Sequence, residues 1–165
     1  MDRQEILKLV SMIDKEISAY ETLKVLFEEK KELLKKSKSG DLNEVDNKII
    51  AQNNAIVKLN DARKNYSIEH IGKECSMSDY IEFVGDSDEE LKEMLMLRKV
   101  KICNIFDELV LLNNQNMELL NHGIIMTNKM LETIVDAFAP QGSNYNGAGK
   151  TDAHDLDMWT VNEEI

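Results

Sequence analysis

The chain has 165 residues, of which 42% are hydrophobic, 31% charged and only 5% aromatic, with a single proline, Pro140. That is room for one domain, and so few aromatics and turn prolines weigh against sandwiches and barrels and toward long helices. The net charge of −11 is uneven: residues 1–72 carry 13 basic and 13 acidic side chains, residues 73–138 carry 6 and 13, and residues 139–165 carry 1 and 5, a distribution that repels nucleic acid and anionic membranes.

The first predicted helix covers residues 3–38. Ile6, Ile13, Tyr20, Phe27 and Leu34 recur every seven residues, and Leu9, Val10, Ile17, Leu23, Leu26 and Leu33 widen the stripe, which is heptad spacing on one helix face. Ser37-Lys38-Ser39-Gly40 reads as its stop, with Gly40 as a left-handed cap. Asp41 and Glu44 have capping-box spacing at the start of a second helix, 41–72, in which Leu42, Val45, Ile49, Ile56, Leu59 and Tyr66 keep a 3-4 rhythm that Gln52 and Arg63 interrupt. So short a connection folds the two helices into an antiparallel hairpin.

Residues 73–87 break the pattern, with a short helix expected over 78–84. Ser87 and Glu90 then open a last helix, 87–138, which Ala139-Pro140-Gln141-Gly142 ends. This helix carries two apolar seams. One runs through Leu95, Arg98, Ile102, Ile105, Leu109, Leu112, Asn116, Leu119, Gly123, Met126, Met130, Thr133 and Ala137, and the other through Phe106, Val110, Asn113, Met117, Leu120, Ile124, Leu131, Val135 and Phe138, with Thr127 or Asn128 filling its one gap. Successive residues differ by ~100° about the axis, so the seams together form a wide apolar arc that needs more than one neighbour.

At ~1.5 Å per residue the last helix is ~75 Å long against ~50 Å for the first. If it starts level with the base of the hairpin, the segment from Leu119 to Phe138 lacks enough of its own chain to cover it. Either a partner covers that segment, or the hairpin slides and Gly123 kinks to bury it internally. The expected architecture is all-α: a long antiparallel hairpin plus a longer third helix in a coiled-coil-like bundle over residues 1–138. Residues 139–165 read as a flexible linker and acidic tail.

Leu112-Asn113-Asn114-Gln115-Asn116-Met117-Glu118-Leu119-Leu120 resembles the leucine-Asn-x-x-Asn-x-x-Leu-Leu signature of the FlgN family of flagellar export chaperones. Leu26-Phe27-Glu28-Glu29-Lys30-Lys31-Glu32-Leu33-Leu34 is similar to that family's first-helix pattern. Ser39-Gly40-Asp41-Leu42, Leu59-Asn60-Asp61-Ala62-Arg63 and Tyr145-Asn146-Gly147 follow in family order. Gln52-Asn53-Asn54 and residues 151–165 depart from the family pattern. The resemblance implies a cytoplasmic type III export chaperone that binds the C-terminal helices of the hook–filament junction proteins FlgK and FlgL and delivers them to the flagellar export apparatus. By position it implicates Asn113, Asn116, Met117, Leu119, Leu120, Ile124, Met130, Leu131, Ile134, Val135 and Phe138 in client binding. Helix-in-groove recognition suits such an arc, and methionines adapt to imperfect shapes. Asn116 also sits where a polar residue fixes register or strand number, so the two asparagines have a structural use beside a client-binding one.

The competing use of the same arc is a homodimer or coiled-coil scaffold. In the tail, Leu156 and Trp159 are either a short docking motif that folds over the client groove or an incidental apolar end. Gly147-Ala148-Gly149-Lys150-Thr151 lacks the first glycine of a phosphate-binding loop, at Asn144, and its strand–helix frame. His70, His122 and His154 lie far apart, and Cys75 and Cys103 have no CxxC partner, so neither a metal, a cofactor nor an enzymatic activity is expected. Met1-Asp2-Arg3-Gln4-Glu5 has no signal-peptide layout, and no apolar run approaches a membrane span.

Overall fold

The computed structural model describes residues 2–36, 39–85 and 88–138, apart from the side chains of Ser39 and of residues 135–138. Regular structure among them is entirely helical, in keeping with the all-α expectation: α1 (Arg3–Lys35), α2 (Ser39–Ile71), α3 (Met77–Val84) and α4 (Glu89–Phe138). The chain divides into two compact units, residues 1–124 and 125–165.

In the first unit the predicted stripes form the core. Ile6, Leu9, Val10, Ile13, Ile17, Tyr20 and Leu23 of α1 are buried with Val45, Ile49, Ile56 and Tyr66 of α2 and with Leu91, Leu95, Ile105 and Leu109 of α4. Each such side chain contributes about 1.5–3 kcal/mol of transfer free energy. Polar contacts fix the directions. Along α1 and α2, Lys30 meets Asp46 at 2.7 Å, the Ala19 carbonyl accepts from Gln52 at 2.8 Å, and Glu16 accepts from Arg63 at 2.6 Å. One series rises as the other falls, so the hairpin is antiparallel. Along α1 and α4, Arg3 holds Asp88 and Glu90, Asp14 accepts both arms of Arg98 at 2.8 Å, and Lys31 donates to Gln115 at 2.6 Å. Both series rise, so α4 lies parallel to α1 and starts level with it.

Local chemistry sets the helix ends, and here the sequence expectations need correction. Gly40 caps nothing: it lies inside α2, which begins at Ser39, and the positive-φ glycines are Gly72 at +85° and Gly85 at +55°. Their N–H groups donate to the carbonyls of Ile68 and Ile81 and close α2 and α3. Because α2 starts two residues early, Asp41 serves as a first-turn acid favouring the dipole, and Glu44 pairs forward with Lys48 at 2.7 Å. At α4, Ser87 lies outside the described residues, and Asp88 accepts from the Leu91 N–H at 3.1 Å. Two capping boxes escaped the sequence reading: Asp2 with Glu5 on α1 and Ser76 with Asp79 on α3. The Ser76 hydrogen bonds hold the Asp79 carboxyl below its ordinary range.

Arg63 ties three helices together. Besides Glu16, it reaches Asn60 at 2.6 Å and the Cys75 carbonyl and Tyr80 hydroxyl at 3.4 Å, and Tyr80 in turn hydrogen-bonds Ser67. Burial pulls the Arg63 pKa down, but the hydrogen bond and charge of Glu16 outweigh it, leaving the guanidinium raised. The side chains of the pair are 14% and 4% exposed, so solvent screens it little. Removing one partner of a buried pair costs about 3–5 kcal/mol because the other charge is left uncompensated. Glu16→Ala should lower stability by that amount in urea denaturation followed by circular dichroism. Glu16→Leu combined with Arg63→Met should recover most of the loss. An Ala variant within about 1 kcal/mol of the parent would mean that the pair is solvated.

Candidate partner-binding face of the last helix

The two seams of α4 have opposite fates within the first unit. Leu91, Leu95, Ile105, Leu109, Leu112 and Asn116 are buried. Arg98, which stands in the same seam, is accommodated by the fork it makes to Asp14. The second seam faces solvent. Phe106, Val110, Met117, Leu120 and Ile124 are each 37–59% exposed, as is Met96 earlier on the same heptad position, although the Phe106 ring also meets Tyr20 of α1 at 4.9 Å between centroids. Cys103 is exposed as well. From Met96 to Ile124 is ~42 Å of helix, and a row of half-exposed apolar side chains over that length is the kind of surface that marks an interaction site.

Burial on α4 stops at a defined place. The last polar contacts between α1 and α4 are Lys31 with Gln115 and the Phe27 carbonyl with the Asn116 amide, the latter at 3.1 Å. That register puts the end of α1 level with about Leu119, which is half-buried, and Leu120 and Ile124 beyond it are exposed. In the second unit, taken by itself, every described side chain from Ile125 to Ile134 is exposed. Met126, Lys129, Met130, Thr133 and Ile134 line a shallow open recess of about 270 Å³ there.

Among the residues implicated by sequence, Met117, Leu120 and Ile124 are exposed in the first unit, and Met130, Leu131 and Ile134 in the second. Asn113 is exposed and Asn116 is 3% exposed. The side chains of Val135 and Phe138 lie outside the described residues, as do Leu156 and Trp159. The sequence reading missed the early part of the exposed seam. Met96 and Cys103 stand fourteen and seven residues before Val110, so the heptad itself, followed backwards, was the available signal.

The flanks of this face are unusual for a solvated helix. Residues 109–128 contain one formal charge, Glu118; Asn113 is exposed within the seam, and Asn114 and Asn121 are exposed beside it. Charge depletion around an apolar centre is the compositional mark of an interface. A second recess, about 230 Å³, opens among Ile71, Lys73, Cys75, Asp79, Glu82 and Phe83, with Lys73 and Asp79 paired at 3.7 Å; Cys75 beside it is buried, which raises its thiol pKa and makes it a poor nucleophile.

Among the described residues no cluster of His, Cys, Asp or Glu is fit to hold a metal, and no helix is long and apolar enough to cross a membrane. Fold and face together define a helical-bundle protein with an open, uncharged apolar helix surface. A model of the FlgN protein family matches residues 1–153, and the chain belongs to that family, whose members are flagellar export chaperones. No curated protein and no solved structure matches it.

Asn116 can be tested directly. Its Nδ2 donates to the Phe27 carbonyl, whereas its buried Oδ1 has no partner among the described residues. An unsatisfied buried acceptor costs about 1–3 kcal/mol, against a net gain of ~1 kcal/mol for the bond made. Asn116→Leu should therefore raise stability by about 1 kcal/mol in urea titration. A fall of that size would show that the amide stabilises the α1–α4 register outright.

Proposed function

We propose that this chain is a cytoplasmic type III export chaperone that carries a flagellar client by laying one of the client's amphipathic helices along the exposed seam of α4. In this reading the client is a hook–filament junction protein of the FlgK or FlgL kind, and the captured segment is its C-terminal helix. Capture prevents premature assembly and lets the export apparatus receive the client unassembled. The observation that carries the reading is the open apolar seam. Met117, Leu120 and Ile124 are exposed in the first unit, and Met130, Leu131 and Ile134 are exposed in the second, taken by itself.

The chemistry is burial of leucine-like anchors between half-exposed methionines and aliphatics, with amide side chains at the edge replacing water where they can. Asn116 enters as the residue that fixes α4 on α1, since it offers almost no surface. Asn113, by contrast, is open to hydrogen bonding.

Because Leu131 and Ile124 are 54% and 58% exposed, introducing a charge there costs the fold little. A charge facing an apolar partner face costs roughly 2–4 kcal/mol, as at other interface hot spots. Leu131→Asp and Ile124→Asp should each weaken binding of a FlgK- or FlgL-type C-terminal helix by about 30-fold to 1,000-fold in isothermal titration calorimetry. Far-UV circular dichroism should stay unchanged. Full-strength binding by both variants would move the client site off α4.

A further inference from the structure

We infer that the free protein forms a parallel homodimer, two copies of α4 pairing along the stripe from Cys103 to Ile124. This goes beyond the client reading and does not rest on it. The stripe advances in strict steps of three and four residues through Val110 and Met117, every described member is exposed, and it lies wholly within the first unit. Such spacing is what a second helix of the same pitch needs for knobs-into-holes packing.

The chemistry at the edges selects the second copy. From residue 109 to the end of the stripe the one formal charge is Glu118, with Asp107 and Glu108 at its opening turn, so over most of its length a charged partner helix would lose hydration without gaining a counter-charge. Another α4 brings the same amide-edged surface, sparse in charge from residue 109 onward. Asn113, exposed in the middle of the stripe, fixes the orientation. In a parallel pair it meets its own twin and the two amides satisfy each other, whereas an antiparallel pair buries it against an aliphatic side chain. A lone asparagine in an apolar seam is a known determinant of register and strand number.

Area and charge are compatible with this pairing. A helix pair ~32 Å long buries roughly 700–800 Å² on each copy, the scale of a standard stable interface. The acidic side chains at the start of α4, Asp88 to Glu93, stand ten or more residues before Cys103, ~15 Å along the helix and beyond the ~8 Å screening length at physiological salt; of the acids within the span, Asp107, Glu108 and Glu118, Glu108 is paired with Lys24.

Sedimentation of the full chain between 1 and about 100 µM, around the micromolar range typical of modest interfaces, tests this. A monomer–dimer equilibrium is expected that tightens several-fold as salt rises, because the contact is apolar and each copy carries a charge of −11. Val110→Lys, at a position 59% exposed, should weaken dimerisation at least ~100-fold with unchanged helicity and urea midpoint. Mild oxidation should give a disulfide-linked dimer that Cys103→Ser abolishes, Cys75 being buried. A chain that stays monomeric at every concentration and salt overturns the inference. So does a dimer indifferent to Val110→Lys, or one without a Cys103 crosslink. A monomer that binds the junction-protein helix removes the dimer and keeps the client reading, while a dimer that binds no such helix does the reverse.

Discussion

A helix with two apolar seams needs two neighbours, and in the first unit α4 has α1 along one seam and solvent along the other. Every other feature follows from that mismatch. The first seam is closed by α1 through Leu95, Ile105, Leu109 and Leu112 and locked by Asp14 with Arg98 and by Asn116 on the Phe27 carbonyl. Those contacts fix the rotation of α4 about its axis. With the rotation fixed, the second seam has no freedom to turn inward, and Met96, Val110, Met117 and Ile124 remain in water. The openness of the face is thus imposed by the packing of the adjacent one.

Much of this was legible in the sequence because heptad spacing is a property of side-chain type and position alone. The stripes of α1 and α2 emerged as buried residues, and the two seams of α4 could be separated before any coordinates were known. Helix ends were less legible. Several residues could cap each one, and the choice depends on where the turn places the first hydrogen bond. Gly40 looked like a stop because glycine tolerates positive φ, yet the chain had already turned by Ser39. Gly72 and Gly85, which do adopt that conformation, border a stretch without periodicity, where a glycine can be read as loop but not as the cap of a particular helix.

Polar residues inside seams were the least legible. Gln52 and Arg63 looked like interruptions of the α2 rhythm, but both point inward: one donates to the Ala19 carbonyl, and the other to Glu16. Glu16 itself is 3% exposed, and its burial is intelligible only with Arg63 placed opposite. A sequence gives residue types along one helix, whereas a buried charge is decided by what a second helix brings. Asn113 and Asn116 make the same point at closer range. They are the same residue type, three positions apart, and one is open while the other is buried, because only Asn116 falls within reach of the Phe27 carbonyl.

The composition of α4 shows how such a face stays tolerable in water. An apolar stripe left open invites indiscriminate association, and natural proteins commonly suppress it with charge placed on the stripe itself. Here the stripe and its edges are almost free of charge from residue 109 to 128, while the molecule as a whole carries −11. Repulsion acting through the whole molecule opposes crowding by similarly acidic proteins without forcing any occupant of the stripe to desolvate a charge. Amide edges can donate and accept, so they match many partner backbones and side chains, and methionines such as Met117 and Met130 reshape at little cost. The long-range term limits what arrives and the short-range surface stays permissive.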